Sequence, residues 1–201
     1  MLFLDPLYQQ VAVRWSGRIN HFPLIRLIFY SLDKTLLYLL LFVAARWGWA
    51  LLHRRRLGIG HEVRVVLFAG YVILLLMLTV FRDVYYPWQL VFHWHRSLDV
   101  INLTPVIETL KLRQGSSHFD FWYQSVGNVL WFVPFGWGMG SLTKRANTLR
   151  VFCRGLMLSL TIECLQFLLI SGVADIDDVL FNVSGAVIGY WLWRLSHRAH
   201  R

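Results

Sequence analysis

Charged residues are scarce in this chain, and so are cysteines. Of 201 residues only 15% are charged and two are cysteines, whereas 57% are hydrophobic. Soluble domains carry roughly 25% charged residues, and a soluble chain of this length cannot bury so much apolar surface. The same composition excludes intrinsic disorder, and two cysteines are too few for a disulfide scaffold. The composition therefore predicts an integral membrane protein.

Five apolar segments approach the length that crosses a membrane, which is about 20 residues of helix. They are 36–52, with a start as early as Leu24, then 63–81, 126–142, 151–170 and 179–195. The third is short and contains Pro134 and three glycines, so we expect it to be broken or kinked and buried among the others. The pattern predicts an all-α, polytopic membrane protein with about five transmembrane helices.

Basic residues cluster between the first and second segments, between the third and fourth, and at the end of the chain. They are Arg54, Arg55 and Arg56, then Lys144, Arg145 and Arg150, and finally Arg194, Arg198 and Arg201. Because cytoplasmic loops are enriched in Lys and Arg, we place these regions and the C-terminus in the cytoplasm. The long loop 82–125 and the acidic turn 172–178 then lie outside. The net charge of +9 is explained by topology, and we expect no nucleic-acid partner.

The segment before the first span mixes apolar and basic side chains. Over residues 6–30 this pattern is typical of an amphipathic helix in the membrane interface. The first residues do not have the pattern of a cleavable signal peptide. We therefore predict an N-terminal interfacial helix, followed by a first span that acts as an uncleaved signal anchor.

Polar and small residues share one face on each of the last two spans. At about 100° per residue, these faces contain Gly155, Ser159, Glu163 and Gln166 on the fourth span, and Asp178, Asn182, Gly185 and Gly189 on the fifth. The last two glycines form a small-xxx-small pair that permits close helix approach. Glu163 lies about 12 Å below the turn that joins the spans. Glu163, Gln166, Asp178 and Asn182, with Asn128 from the third span, are predicted to line one outward-opening polar pocket.

Other interpretations of these polar residues remain open. In a helix bundle, polar side chains often only bond to neighbouring helices. Asp175, Asp177 and Asp178 also suit a solvated turn, a cap in which Asp177 or Asp178 holds the fifth helix, or a calcium site, although their spacing matches no known ligand loop. His93 and His95 are too few for a specified metal centre. We predict no metal and no cofactor.

Five motifs follow one another in the second half of the chain. They are Asn102-Leu-Thr-Pro105, Asn128-Val-Leu-Trp-Phe-Val-Pro-Phe-Gly136, Leu158-Ser-Leu-Thr-Ile-Glu163-Cys-Leu-Gln166, Asp175-Ile-Asp-Asp178 and Asn182-Val-Ser-Gly185-Ala-Val-Ile-Gly189. In order and spacing, about residues 96–195 resemble the VanZ-like family, small membrane proteins named for a teicoplanin-resistance protein.

Together with the predicted spans, the resemblance divides the chain into three parts. These are an N-terminal extension with the interfacial segment and two transmembrane helices over residues 1–85, a VanZ-like domain with the outer loop and three transmembrane helices over 86–195, and a basic cytoplasmic tail over 196–201. The resemblance adds Asn102, Thr104 and Asp175 to the predicted pocket, and it adds Pro134 and Gly136 to the residues of helix packing. It also implies a multi-pass protein of the cell membrane of a Gram-positive bacterium that lowers susceptibility to teicoplanin-type lipoglycopeptides.

The expected ligand of the pocket is a membrane lipid or a lipid-linked envelope precursor, whose head group the protein binds or acts on. Because the resemblance supplies no reaction, we predict no established catalytic activity. One alternative is an enzyme that modifies an envelope lipid. Its candidate catalytic residues are Asp178 and Glu163, and Glu163 would serve as the acid or base. A transporter of a small solute or of protons through Glu163 is another.

Overall fold

The computed structural model describes residues 1–16, 22–55, 58–102 and 118–198. Six α-helices lie in these ranges: α1 (Asp5–Trp15), α2 (Phe22–Leu52), α3 (Ile59–Thr79), α4 (His118–Leu142), α5 (Thr148–Leu169) and α6 (Ile176–Arg198). Two short 3-10 turns, Pro87–Gln89 and Leu98–Val100, follow α3. No strand occurs in these ranges, so the described structure is all-helical. The chain forms two compact units, Met1–Leu90 and Val91–Arg201.

Three helices in the described ranges are long and apolar enough to cross a membrane, namely α2, α3 and α5, with 31, 21 and 22 residues. The helices α4 and α6 have 25 and 23 residues. Asp177 and Asp178 in the first turn of α6, and Arg194 near its end, shorten its apolar stretch. The chain has the helices of a membrane protein, and the count of five transmembrane helices stays a prediction.

In the first unit, α2 packs against α3, and α1 is a separate short helix in which no residue is buried. The predicted interfacial segment 6–30 is therefore two elements, because α1 ends at Trp15 and residues from Phe22 onward belong to α2. Leu7, Val13 and Trp15 of α1 are exposed. The location of α1 in the membrane interface stays a prediction.

In the second unit, α4 runs without interruption through Pro134. A proline inside a helix removes one backbone hydrogen bond and often bends the helix, but the predicted break or kink is not confirmed. The Pro134 ring is exposed, so it contributes little to packing between helices. Gly136, two residues later, is buried and does lie in a helix contact.

Glycines allow α4 and α6 to pack backbone against backbone. A Cβ atom built on Gly136 of α4 would lie 1.8 Å from the carbonyl oxygen of Ala186 in α6. Cβ atoms on Gly185 and Gly189 of α6 would lie 2.1 and 1.9 Å from backbone oxygens of α4. These distances leave no room for a side chain, so a larger residue would force the helices apart. From the sequence we predict that this face of α6 lies against α5, whereas its glycines contact α4.

Candidate functional site

A short piece of the preceding loop fixes the turn between α5 and α6. Asn102 and Asp175 form an isolated parallel bridge. The backbone N–H of Asn102 donates to the carbonyl of Ala174 at 2.9 Å, and the N–H of Ile176 donates to the carbonyl of Asn102 at 3.1 Å. The Asn102 side-chain amide also donates to Oδ2 of Asp175 at 2.9 Å. Asn102 therefore anchors the turn through both its backbone and its side chain.

Asp175 is the residue that caps α6. Its Oδ1 accepts a hydrogen bond from the N–H of Asp177 at 2.8 Å. A carboxylate in this position satisfies a free N–H and interacts favourably with the positive end of the helix dipole. The predicted cap at Asp177 or Asp178 is thus corrected, because both residues lie inside the first turn of α6. There Asp177 is only 2% exposed.

Glu163 links α5 to the start of α6. Its side chain is 6% exposed, and its Oε2 accepts a hydrogen bond from the backbone N–H of Asp175 at 3.0 Å. Within the described ranges, no donor bonds to the other oxygen, Oε1. Burial of a polar group without a partner is unfavourable. The Oε1 atom is therefore an unpaired acceptor on a largely buried residue, with the capacity to bind a donor from a ligand.

A second contact joins α5 to α6 one helical turn deeper. The side-chain amide of Asn182 donates to Oγ of Ser159 at 2.9 Å, and both side chains are buried. Ser159 lies four residues before Glu163, so the two residues share one face of α5. The predicted polar face of α5 therefore does contact α6.

Asn128 and Asp178 bring α4 into the same cluster. The side-chain amide of Asn128 donates to Oδ1 of Asp178 at 2.5 Å, and both residues are half-buried. A hydrogen bond to an ionised acceptor is typically shorter and stronger than one between neutral groups. The first turn of α6 is thus bonded to α4 through Asp178 and to α5 through the backbone of its cap.

Gln166 lies beneath the turn. Its side chain is 8% exposed, and its carbonyl accepts from the N–H of Ser171 at 3.1 Å. A Cβ atom on Gly172 would lie 3.2 Å from Gln166 Cδ, so the amide packs against this glycine. The hydroxyl of Ser171 is buried and has no hydrogen-bond partner within the described part of the chain. The turn therefore contains a polar atom whose bonding is incomplete.

Arg96 covers the C-terminal end of α5, a contact that the sequence did not predict. Its Nη1 donates to the carbonyl of Phe167 at 2.8 Å, and its guanidinium carbon lies 5.0 Å from the centre of the Phe167 ring. Nearby, the N–H of His93 donates to the carbonyl of Leu168 at 2.9 Å. The last carbonyls of a helix have no partner within the helix, and a cation is favourable there. The arginine therefore caps α5.

A cavity of about 170 Å³ lies beside Glu163. Apolar side chains form most of its wall, among them Ile101, Leu160 and Phe167. Glu163 and Asp175 provide the carboxylates that line it. Leu160 is 44% exposed, so the cavity opens on the exposed face of α5.

The structure thus brings most of the predicted pocket residues together around the α5–α6 turn. They are Asn102, Asn128, Glu163, Gln166, Asp175, Asp178 and Asn182. Thr104 lies outside the described residues. In the described ranges, no group of three His, Cys, Asp or Glu side chains is placed to hold a metal ion. Arg96 and Asp177 also lie in the cluster, although neither was among the predicted pocket residues, because neither lies on the periodic face of a span.

The first unit contains a separate cluster that the sequence also missed. Asp33 of α2 is fully buried, and its carboxylate accepts hydrogen bonds from the N–H groups of Leu2, Phe3 and Leu4, each at 2.7 Å. The hydroxyl of Tyr85 donates to the same carboxylate. Burial and this bond raise the pKa of the Tyr85 hydroxyl well above its usual value. Tyr85 therefore stays protonated and keeps donating at neutral pH.

Lys34 follows Asp33 and holds the segment after α3. Its ammonium is fully buried and lies 4.3 Å from the centre of the Tyr30 ring. It donates to three carbonyl oxygens, those of Phe81, Arg82 and Val84. Lys34 lies two residues before the apolar segment 36–52, but it is inside α2, which begins at Phe22.

Comparisons with known proteins agree with the motifs around this site. A family model described as VanZ/LLP1 matches residues 68–197, which include the end of α3 and nearly all of the second unit. The chain is 35% identical over 133 residues to Protein VanZ from Enterococcus faecium, and this alignment covers 66% of the chain and 74% of that protein. No solved structure is significantly similar. Since the match contains every helix that builds the Glu163 site, the predicted resemblance is confirmed: the chain belongs to the VanZ/LLP1 family.

Proposed function

We propose that the protein crosses the cell membrane of a Gram-positive bacterium five times, through α2 to α6. The apolar character of α2, α3 and α5 supports this arrangement. Lys144 and Arg145 precede α5, and Arg194 lies near the end of α6, so these basic residues are at the opposite end from the α5–α6 turn. By the positive-inside rule, the C-terminus is then cytoplasmic and the Glu163 site lies on the outer side.

We further propose that this site binds the head group of a membrane lipid or of a lipid-linked envelope precursor. Glu163 carries the proposal, because it is a buried carboxylate with one free acceptor oxygen beside an apolar cavity. Ionisable groups inside a membrane are unfavourable and usually mark a functional site. The alternatives of acid–base catalysis and of transport are not favoured by any contact of Glu163 described above.

The proposed consequence of binding is lower susceptibility to teicoplanin-type lipoglycopeptides, the effect that the family resemblance implies. When an envelope component is held in the site, these antibiotics engage the cell surface less well. This effect depends on the amount of the protein in the membrane and on the outward position of the site. It involves no chemical change in the envelope component.

The test measures the teicoplanin concentration that inhibits growth of a susceptible Gram-positive host. Expression of the wild-type protein is expected to raise this concentration several-fold. Glu163→Gln, at equal abundance, is expected to return it to the level of cells without the protein, because the charge on the free acceptor is lost. If the Glu163→Gln variant protects as well as wild type, the site is not involved.

The matched control for this test is Thr161→Val. Thr161 is exposed on another face of α5, and its hydroxyl donates only to the carbonyl of Met157 in the same helix. This variant is expected to protect like wild type, which would show that the loss in Glu163→Gln is not a general effect of changes in α5.

A further inference from the structure

The cavity beside Glu163 has the size and lining of a site for part of a lipid. Pockets that enclose a whole drug-sized ligand have roughly 300–1,000 Å³, whereas this cavity has about 170 Å³. Leu160 and Cys164 on its rim are exposed, so in a membrane it opens toward the acyl chains. A ligand that fits is an amphiphile whose remaining chain stays in the bilayer.

Arg96 supplies a positive charge next to Phe167, one of the residues that line this cavity. Phe167 lines the cavity, and the Arg96 guanidinium lies over its ring. Within the described ranges, Arg96 has no carboxylate partner and uses a single N–H, in its bond to the Phe167 carbonyl. A guanidinium with free N–H groups matches the geometry of a phosphate and binds it in a bidentate manner.

Glu163 supplies an acceptor for a ligand in the same cavity. It precedes Phe167 by four residues, which is about 6 Å along the helix. Its Oε1 is the free acceptor, and the Asp175 carboxylate also lines the cavity. The Asp175 oxygens are already bonded to Asn102 and Asp177, so Glu163 is the group that a donor on the ligand would meet.

We propose that the ligand is a phospholipid whose head group carries an amine in addition to its phosphate. The phosphate binds to Arg96, the ammonium donates to Oε1 of Glu163, and the start of one acyl chain lies against Phe167. This assignment rests on the proposed function, because it takes the Glu163 site to be a head-group site. It adds a requirement for two opposite charges on one head group.

The experiment measures lipid binding to the purified full-length protein in detergent by native mass spectrometry. The probes are phosphatidylethanolamine, phosphatidylglycerol, which has no amine, and phosphatidylcholine, whose ammonium has no N–H. Since a hydrogen bond to a charged group is worth about 1.5–3 kcal/mol, phosphatidylethanolamine is expected to bind about tenfold or more tightly than the other two. Soluble phosphoethanolamine, which has no chains, is expected to bind far more weakly than the lipid.

Two variants separate the two contacts. Arg96→Gln is expected to weaken all three phospholipids alike by about tenfold, whereas Glu163→Gln is expected to remove only the preference for phosphatidylethanolamine. Arg82→Gln is the matched control, because Arg82 caps the end of α3 by donating to the carbonyl of Leu78 at 3.0 Å. It is expected to bind lipids like wild type.

Equal binding of the three lipids to wild type, or unchanged binding to Arg96→Gln, would overturn the inference. Equal binding of lipid and soluble phosphoethanolamine would overturn it as well, since the cavity would then recognise free phosphate compounds. If Glu163→Gln does not fold, the lipid series on wild type and Arg96→Gln still decides. If Glu163→Gln loses the preference for phosphatidylethanolamine but still protects against teicoplanin, the proposed function is contradicted and the inference on the lipid stays intact.

Discussion

Asn182 in α6 donates a hydrogen bond to the hydroxyl of Ser159 in α5, one turn below Glu163. Both side chains are buried, so neither can exchange this bond for one to water. The polar face of α5 therefore has two parts with different tasks. The deeper part holds the helices together, and the outer part, at Glu163, retains an acceptor for a ligand.

A double-mutant cycle tests the structural part. Ser159→Ala and Asn182→Ala are each expected to lower the free energy of unfolding in detergent, and the coupling between them is expected to be about 1 kcal/mol. Ser184→Ala is the control, since Ser184 is exposed on α6 and bonds only to the carbonyl of Leu180 in its own helix. Strict additivity of the first two changes would contradict a hydrogen bond between them.

Gly136→Ala is expected to destabilise the second unit. Its new Cβ would lie 1.8 Å from the carbonyl oxygen of Ala186, and overpacking of this kind typically lowers the free energy of unfolding by about 1–3 kcal/mol. Gly127→Ala, in the same helix, has nothing within 4 Å of the new atom and is expected to be neutral or slightly stabilising. The measurement is thermal unfolding in detergent, and equal melting temperatures for the two variants would refute the close contact.

Asp33→Asn is expected to release the N-terminal segment from α2. Three backbone N–H groups bond to this carboxylate, and hydrogen bonds to a charged group contribute roughly 1.5–3 kcal/mol. Hydrogen exchange of the amides of Leu2 to Leu4 is expected to become faster in the variant. Asp83→Asn, at an exposed position, is the control and should leave exchange unchanged. Unchanged exchange in both variants would be incompatible with the observed bonds.

The bond between Tyr85 and Asp33 predicts a dependence of stability on alkaline pH. Because burial and Asp33 raise the pKa of Tyr85 above its ordinary value of 10.0, the protonated hydroxyl is favoured in the folded protein. The stabilisation is measured as the difference in free energy of unfolding between wild type and Tyr85→Phe. It is expected to be fully present below pH 10 and to decline above it. A difference that grew with rising pH would have the wrong sign for this bond.

Each of the five apolar segments of the sequence overlaps a helix almost completely, and only 63–81 and 151–170 run one or two residues past a helix end. The hydrophobic length needed for a membrane span is visible in the sequence alone. The ends of the helices were less predictable. For example, α5 begins at Thr148, where the Asn147 side chain accepts from the N–H of Arg150, whereas the apolar segment begins later, at Val151. A cap depends on one polar side chain and not on hydrophobicity.

The site was predictable only in part, for physical reasons that particular residues show. Glu163, Gln166 and Asn182 were found because helical periodicity puts polar residues of one span on one face. Arg96 and Asp33 were not found, because their partners are backbone groups far away in the chain. Periodicity within a segment cannot indicate which carbonyl or N–H group the folded chain brings to a charged side chain.

The outward position of the α5–α6 turn is tested most directly by thiol labelling in intact cells. In a variant without Cys153 and Cys164, Val173→Cys places one thiol on the turn, where Val173 is 63% exposed. Lys144→Cys, also at an exposed position, marks the opposite end of α5. A membrane-impermeant maleimide is expected to label Val173→Cys in intact cells and Lys144→Cys only after permeabilisation. Labelling of Lys144→Cys and protection of Val173→Cys in intact cells would place the Glu163 site on the cytoplasmic side and contradict the account.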